Sequence, residues 1–229
     1  MAADTDTAAE SEAPADPRTA LLPEAAALLE RFRARLGDAV VDAQPCFGDA
    51  VVRVTPDAWL RAARVVHDEL GCDYLSFIAG IDWMPTPVAD DDAGSGDTSA
   101  PVQPRDTTYG VTGSEGRFQL LARMQSTSTG AGITLKTDVA EDAMRVASWT
   151  SVYPGADWHE RETWEMYGIE FDGHPALRHL YLPSEFDGHP LRKDYPLLAR
   201  EVKPWPGLVD VEAMPGEEGD GDDESAGGE

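Results

Sequence analysis

The chain has 229 residues, of which 41% are hydrophobic, and a formal net charge of −25. This length supports one folded domain with a core and additional tails. The negative charge repels phosphate backbones and anionic headgroups, so nucleic acid is excluded as an expected partner. The N-terminus is acidic where a signal peptide is basic, and no apolar stretch of about eighteen residues occurs. We therefore expect a soluble protein made in the cytoplasm.

Most of the negative charge lies in three segments rich in acidic residues, Gly, Ser and Pro. Residues 1–17 contain five acids and no base, residues 208–229 contain nine acids and no base, and residues 85–108 contain five acids against Arg105. Such segments cannot bury enough apolar surface to offset the entropy lost on ordering. We predict two disordered acidic tails and a disordered insertion loop, the loop interrupting an α+β domain at 18–152.

Two helices with a strand between them are predicted in the N-terminal third. Apolar residues recur at helical spacing in LLPEAAALLERFRARLG, which stops at Gly37. The segment TPDAWLRAARVVHDELG offers Thr55 as N-cap, Pro56 at the first helical position and Gly71 as the stop. Between them, DAVVRV is rich in strand-forming residues.

Further strands and a third helix are predicted next along the chain. CDYLSFIAGIDWM is a nearly continuous apolar run, typical of a central strand covered on both faces. In RFQLLARMQS, apolar residues alternate with Arg117, Gln119, Leu121 and Arg123, which predicts a strand with one more solvent-exposed face. The turn STSTGAG joins this strand to ITLKTDV, which predicts a hairpin. EDAMRVASW is predicted as a helix. The clustered strands favour an α+β fold with helices packed on an antiparallel or mixed sheet.

Residues that could carry chemistry give no complete motif. Cys46 and Cys72 form no CxxC, which excludes an iron–sulfur cluster or thiolate zinc site carried by this chain alone. WHERE begins like a zinc-protease helix, but Thr163 stands where HExxH needs its second histidine. The remaining candidate metal ligands match no ligand spacing: His159, His174, His179 and His189 with Glu160 and Glu162. A histidine-carboxylate metal hydrolase is kept as an alternative function.

The segment ADWHERETWEMYG predicts a helix of three turns. Asp157 and Glu160 fit a capping box, Gly168 fits a C-terminal stop, and Arg161 and Glu165 are four residues apart and are predicted to pair. The helix interleaves ionisable residues with tryptophans, which suits neither a simple core helix nor a simple surface helix. We predict that it lies between this domain and another polypeptide.

The sequence FDGHP occurs twice, and the second copy begins fifteen residues after the first. Each Asp-Gly predicts a turn, and the proline after each histidine favours an extended exit. Basic residues follow both copies: Arg178 after the first, Arg192 and Lys193 after the second. A long aperiodic segment of this kind is unusual unless it lies along a partner. We predict that 153–207 comprises the motif helix and an extended partner-docking segment.

These residues resemble the family of the C subunit of NADH-quinone oxidoreductase, which lies in the peripheral arm of respiratory complex I. The family signature passes from a Glu-Arg-Glu helix into a His-Pro turn. The matching residues are Glu160-Arg161-Glu162, Glu165-Met166-Tyr167, His174, Arg178 and Leu180. GHPLRKDYP resembles the family's second Gly-His-Pro motif, and YLSFIAGIDW is similar to its central strand. The family often has an acid at the position of Ala176 and an arginine at that of His179, so the resemblance implies no ion pairs there.

The resemblance implies a non-catalytic scaffold that itself holds no cofactor. The enzyme moves electrons from NADH to a quinone and translocates protons, and its FMN and iron–sulfur clusters would lie in other subunits. It implies docking onto the D subunit, at the quinone site, and onto the B subunit, which bears a cluster, with indirect attachment to the cytoplasmic side of the cell membrane. A related complex fed by ferredoxin or another donor is the nearer alternative.

We hypothesise a partner interface on the motif helix and the two Gly-His-Pro turns. Its basic members, Arg161, Arg178, Arg192 and Lys193, would pair with acids of the partner. The full set of interface residues is Glu160, Arg161, Glu162, Glu165, His174, Arg178, His189, Arg192, Lys193 and Asp194.

Overall fold

The structure is a computed structural model that describes residues 20–84 and 109–195. Three helices and seven strands form within these residues. The helices are α1 (Pro23–Leu36), α2 (Trp59–Arg64) and α3 (Ala156–Tyr167), and the strands are β1 (Val40–Cys46), β2 (Asp49–Val54), β3 (Tyr74–Asp82), β4 (Phe118–Gln125), β5 (Gly132–Val139), β6 (Arg145–Ala147) and β7 (Glu170–Asp172).

Several sequence predictions lie outside the described residues. They are the two acidic tails, the 85–108 insertion and the last part of the docking segment, 196–207. Within the described ranges, no helix combines the length and the apolar character needed to cross a bilayer.

The main sheet has five strands in the order β1-β2-β5-β4-β3. Neighbouring strands are antiparallel except β2 and β5, which are parallel. The predicted hairpin is confirmed, because β4 and β5 pair in register from Phe118 opposite Val139 to Gln125 opposite Gly132. The predicted α+β fold on a mixed sheet is therefore correct.

The core lies between one face of this sheet and the helices. Alternate residues of β4 and β5 point into it, and Leu120 and Leu135 are fully buried. Trp59 at the start of α2 stacks on Trp149 with ring centroids 4.2 Å apart, and Phe32 of α1 is also fully buried. Each such side chain contributes roughly 1.5–3 kcal/mol of hydrophobic stabilisation.

The second helix forms as predicted, but its ends are irregular. A 3-10 turn at Pro56–Ala58 precedes α2, and a π-helical turn at Val65–Glu69 follows it. Thr55 precedes the first turn, yet its side chain makes no capping hydrogen bond. Gly71 adopts a φ of 73°, which fits the predicted stop.

The predicted helix at EDAMRVASW is wrong. The chain turns at Ala140–Met144, where Met144 has a φ of 45°, and then forms β6, which pairs in parallel with β7. In that pairing Val146 lies opposite Phe171, and both side chains are buried. The partner strand lies about twenty-five residues further along, so local periodicity could not reveal it.

The prediction that CDYLSFIAGIDWM forms a central strand is also wrong. Among the described residues it forms β3, which pairs with β4 alone and lies at the edge of the sheet. Ile78 is buried, but Tyr74 and Phe77 are exposed. An apolar run indicates a strand buried on both faces only when other helices or strands pack on both sides of the sheet.

Candidate partner interface

Helix α3 contacts both β3 and the irregular segment 173–195. Its length agrees with the predicted three turns, and Gly168 ends it with a left-handed φ of 74°. A side chain at Gly80 of β3 would lie 2.8 Å from the Tyr167 ring, so glycine at this position allows the close approach of helix and strand.

The predicted capping box is not formed. Gly155 is the N-cap residue and Asp157 lies inside the first turn. Glu160 instead turns into the protein, where its two oxygens accept hydrogen bonds of 2.6 Å from the Ser148 hydroxyl and the Trp149 amide N–H. Burial raises the pKa of Glu160 to about 7, although both hydrogen bonds lower it. Glu160 therefore joins α3 to the turn after β6.

The predicted Arg161–Glu165 pair is also absent. The Arg161 guanidinium is buried and donates to the carbonyl oxygens of Arg178 and His179, at 3.1 and 3.2 Å. Its ion-pair partner is Asp157, at 3.5 Å. Its donors thus hold the chain's own segment against α3, and its pairing with an acid on a partner stays a prediction.

Glu165 holds the same segment through backbone donors. The amide N–H groups of Leu180, Tyr181 and Leu182 donate to its two oxygens at 2.6–3.1 Å, and His179 Nδ1 lies 3.0 Å from Oε1. Burial alone would raise the pKa of Glu165, but these hydrogen bonds outweigh it and hold the pKa below its ordinary value. These donors therefore stabilise the ionised form of the Glu165 carboxylate.

The first FDGHP copy is held near the N-terminal end of α3. Gly173 has a φ of 87°, and the His174 amide donates to the Phe171 carbonyl, which forms the predicted turn. The His174 side chain is fully buried, with Nε2 3.3 Å from the Asp157 carbonyl oxygen and Nδ1 accepting from the Ala176 amide.

The second FDGHP copy caps the C-terminal end of the same helix. The last carbonyls of a helix lack partners inside it. His189 Nδ1 donates to the Glu165 carbonyl at 2.9 Å, the Leu191 amide donates to Met166, and Arg192 Nε donates to Tyr167 at 2.6 Å. The doubled motif therefore places one histidine against each end of α3. Arg192 thus makes an intrachain contact through Nε, and its pairing with a partner stays a prediction.

A second anchor lies where β3 ends. Asp82 is buried and accepts from Arg117 Nε and Nη2 and from the backbone N–H groups of Met84 and Lys193, at 2.7–2.9 Å. Burial raises the pKa of Asp82, but these bonds outweigh it and hold the pKa below its ordinary value. Arg117 also pairs with Asp194 at 3.0 Å. Asp194, a predicted interface residue, thus pairs within the chain.

The remaining predicted interface residues lie on the outer surface of α3 and segment 173–195. The side chains of Arg178 and Lys193 are exposed, and among the described residues neither forms an ion pair; Glu162 is half-buried. Large exposed apolar side chains accompany them: Tyr181 is 64% exposed, Trp158 61% and Leu191 50%.

Sequence reasoning missed Asp82, Arg117, Ser148 and Trp149, which complete the site. Asp82 offered a clue, because a lone acid ends the apolar run YLSFIAGI. The other three act through contacts with residues distant in sequence, which local patterns do not indicate.

The histidines do not form a metal centre in the described part of the chain. They point to separate partners along α3, and no group of three or more His, Cys, Asp or Glu side chains there is arranged to hold a metal. The hydrolase alternative therefore finds no support in this region.

Comparison with known proteins identifies the class of this chain. Residues 52–201 match the model of the family described as respiratory-chain NADH dehydrogenase, 30 Kd subunit. The chain belongs to this family. The predicted resemblance is thereby confirmed.

Named relatives support the assignment. The chain is 36% identical to the C subunit of NADH-quinone oxidoreductase from Roseiflexus sp. (strain RS-1), over 77% of this chain and 87% of the relative. It is also 44% identical to a stretch of the C/D subunit of NADH-quinone oxidoreductase from Shigella flexneri, covering 38% of this chain and 15% of that protein. A solved structure titled "Nqo5 of the trypsin-resistant fragment (1-134) in P63 form" aligns with a TM-score of 0.48 and 22% identity, covering 67% of this chain and 99% of that one.

Proposed function

We propose that this chain is a scaffold in the peripheral arm of a proton-translocating NADH-quinone oxidoreductase, at the cytoplasmic side of the cell membrane. It docks onto the D subunit, at the quinone site, and onto the cluster-bearing B subunit. Its family and the relatives named as the C subunit support the enzyme, and the C/D relatives support a position beside the D subunit. In this proposal the FMN, iron–sulfur clusters and quinone belong to other subunits. The chain holds the D and B subunits in place and takes no part in electron transfer.

The observation that carries the proposal is the fixed shape of segment 173–195. Buried charges of α3 bind its backbone, so the segment needs no partner to take its course. A binding surface formed in advance loses less conformational entropy when a partner docks. The charges left outside, on Arg178 and Lys193, are the ones we assign to the partner's acids.

Exposed aromatic side chains strengthen this assignment. Tyr181 and Trp158 present large apolar surfaces on the same segment and helix as the two exposed cations, a combination that is common at the centre of protein interfaces. The proposed contact therefore joins apolar anchors with a rim of positive charge on a chain that is otherwise acidic.

Affinity purification from native membranes in mild detergent tests the proposal. We expect recovery of the D and B subunits, a flavin subunit and quinone reduction by NADH. Recovery of D and B without the flavin subunit would assign the donor to ferredoxin or another carrier. Recovery of the chain alone would refute the scaffold role.

A charge-reversal pair tests the surface itself. The double variant Arg178→Glu, Lys193→Glu should reduce recovery of the D subunit roughly tenfold or more, because like charges then face each other at the contact. Arg33→Glu is the matched control, since Arg33 is exposed on α1, remote in sequence from the segment. Equal recovery of the D subunit with the double variant and with the control would disprove the assignment.

A further inference from the structure

The two edges of the main sheet are protected to different degrees. Strand β1, at one edge, contains Asp42 and Pro45 and a register shift after Val40. Strand β3, at the other edge, spans nine residues and has no charged side chain before Asp82. Edge strands expose unpaired backbone groups, and proteins usually shield them with charges, prolines or bulges. Of these devices β3 has only a register shift after Leu75.

The outward face of β3 is apolar as well. Tyr74 is 52% exposed and Phe77 38% exposed, and Ala79 is exposed beside them. These residues lie opposite Gln125, Arg123 and Leu121 of β4, on the face of the sheet away from the helices. The inward face is already occupied, because Ile78 is buried and Gly80 lies under Tyr167.

No backbone group of Tyr74–Ile81 hydrogen-bonds to any described residue outside the β3–β4 pairing. Every second residue of an edge strand directs its N–H and C=O away from the sheet. Within the part of the chain that the structure describes, the outer edge of β3 therefore combines unpaired backbone groups with apolar side chains over the same stretch.

We propose that the outer edge of β3 binds an extended apolar segment of a second polypeptide, which joins the sheet as a sixth strand. Main-chain hydrogen bonds give affinity in this mode of recognition, and alternate side chains give specificity. Because eight consecutive residues of β3 carry no charge, the matching segment is uncharged too, in contrast to the acids expected opposite Arg178.

The position of the edge identifies the partner as a subunit of the same assembly, so this inference rests on the proposed function. β3 ends at Asp82, which binds the Lys193 backbone, and Gly80 packs on Tyr167 of α3. The edge is thus continuous with the proposed docking surface. Pairing one nine-residue strand with itself buries far less than the roughly 800 Å² per partner of a stable complex, whereas a subunit that also contacts the adjoining docking surface buries more than the strand alone.

A lysine on the edge tests the proposal in the full-length chain purified from native membranes. Ala79→Lys should reduce recovery of at least one co-purifying respiratory subunit about tenfold or more, because an edge lysine blocks strand addition. Val41→Lys places the same charge at an exposed position on β1 and should leave recovery unchanged. The unfolding temperature of each isolated variant checks that the fold survives.

Amide hydrogen exchange gives a readout that does not depend on a variant. In the purified assembly, amides of residues 74–81 should exchange at least about tenfold more slowly than in the isolated chain. Equal exchange rates, or a cross-link from position 79 to a second copy of this chain, would overturn the proposal. If respiratory subunits are absent while Ala79→Lys still releases another partner, the proposed function fails together with the assignment of the partner to that assembly, and only strand addition at the edge stands. If respiratory subunits co-purify equally with both variants, the edge proposal fails and the function stands.

Discussion

Two buried glutamates on α3 have opposite environments, five residues apart. Glu160 faces the turn after β6 and receives two hydrogen bonds, whereas Glu165 faces segment 180–182 and receives three backbone N–H groups and the His179 ring. The pKa of Glu160 is raised by burial, and that of Glu165 is lowered by its donors. Burial alone therefore does not fix the charge of a carboxylate. The number of donors that meet it decides whether it stays ionised.

The comparison separates two tasks on one helix. Glu160 can bind a proton near neutral pH and still hold the Trp149 amide, so it is a structural contact sensitive to pH. The donors around Glu165 hold its pKa below the ordinary value, and its carboxylate binds the backbone of residues 180–182. We expect changes at Glu165 to release the segment and changes at Glu160 to alter the response of stability to pH.

The largest effect is expected for Glu165→Gln. The amide keeps one acceptor oxygen and turns an NH₂ group towards the remaining donors, leaving at least one backbone N–H buried without a partner. We expect a loss of about 3–5 kcal/mol in the free energy of unfolding, measured by urea denaturation. Limited proteolysis should cut within residues 178–182.

Glu162→Gln is the control for this variant. Glu162 lies on the same helix, is half-buried and accepts no hydrogen bond from any described residue. We expect a change within about 0.5 kcal/mol. If Glu165→Gln were as stable as the control and equally resistant to protease, Glu165 would not be holding the segment.

The next effect is a change in pH dependence for Glu160→Gln. The pKa of Glu160 is about 7 in the folded protein and 4.5 in its ordinary state, so between these values the folded state binds more protons than the unfolded state. Stability supplied by Glu160 is complete below pH 4.5 and is lost as pH rises through 7, by roughly 3 kcal/mol. The glutamine side chain of the variant stays neutral, so this loss should disappear.

Urea midpoints at pH 5 and pH 8 give the measurement. Wild type and Glu162→Gln should both lose stability between these values through Glu160, whereas Glu160→Gln should lose about 2–3 kcal/mol less. Parallel curves for Glu160→Gln and wild type would show that Glu160 is already ionised in the folded protein at neutral pH.

Local patterns predicted the existence of α3 and the β4–β5 hairpin correctly. The stop at Gly168 and the alternation around STSTGAG are properties of neighbouring residues, and the structure keeps both. The capping box failed because the helix begins after Gly155, two residues earlier than predicted, and Glu160 binds Ser148 and Trp149, about twelve residues upstream. A tertiary contact of this kind has no local sequence pattern.

The doubled FDGHP motif shows the same limit. Its turns were predictable from Asp-Gly and His-Pro, and both glycines have a positive φ. The structural role of the motif was not predictable, because the sequence does not show that the two histidines contact opposite ends of one helix. The resemblance to the family singled out residues that the structure brings together around α3, and several of them stabilise this chain internally.

The smallest effects are expected at those two histidines, and they extend the comparison to the ends of α3. His174→Ala removes a fully buried ring and leaves the Ala176 amide without its acceptor, so we expect a loss of about 2 kcal/mol. His189→Ala removes a donor to one helix carbonyl, beside caps from Leu191 and Arg192 that remain, so we expect about 1 kcal/mol. Urea denaturation at pH 8 measures both. A larger loss at His189 than at His174 would mean that the C-terminal caps act as one unit, and that the second copy of the motif, not the first, fixes the docking segment.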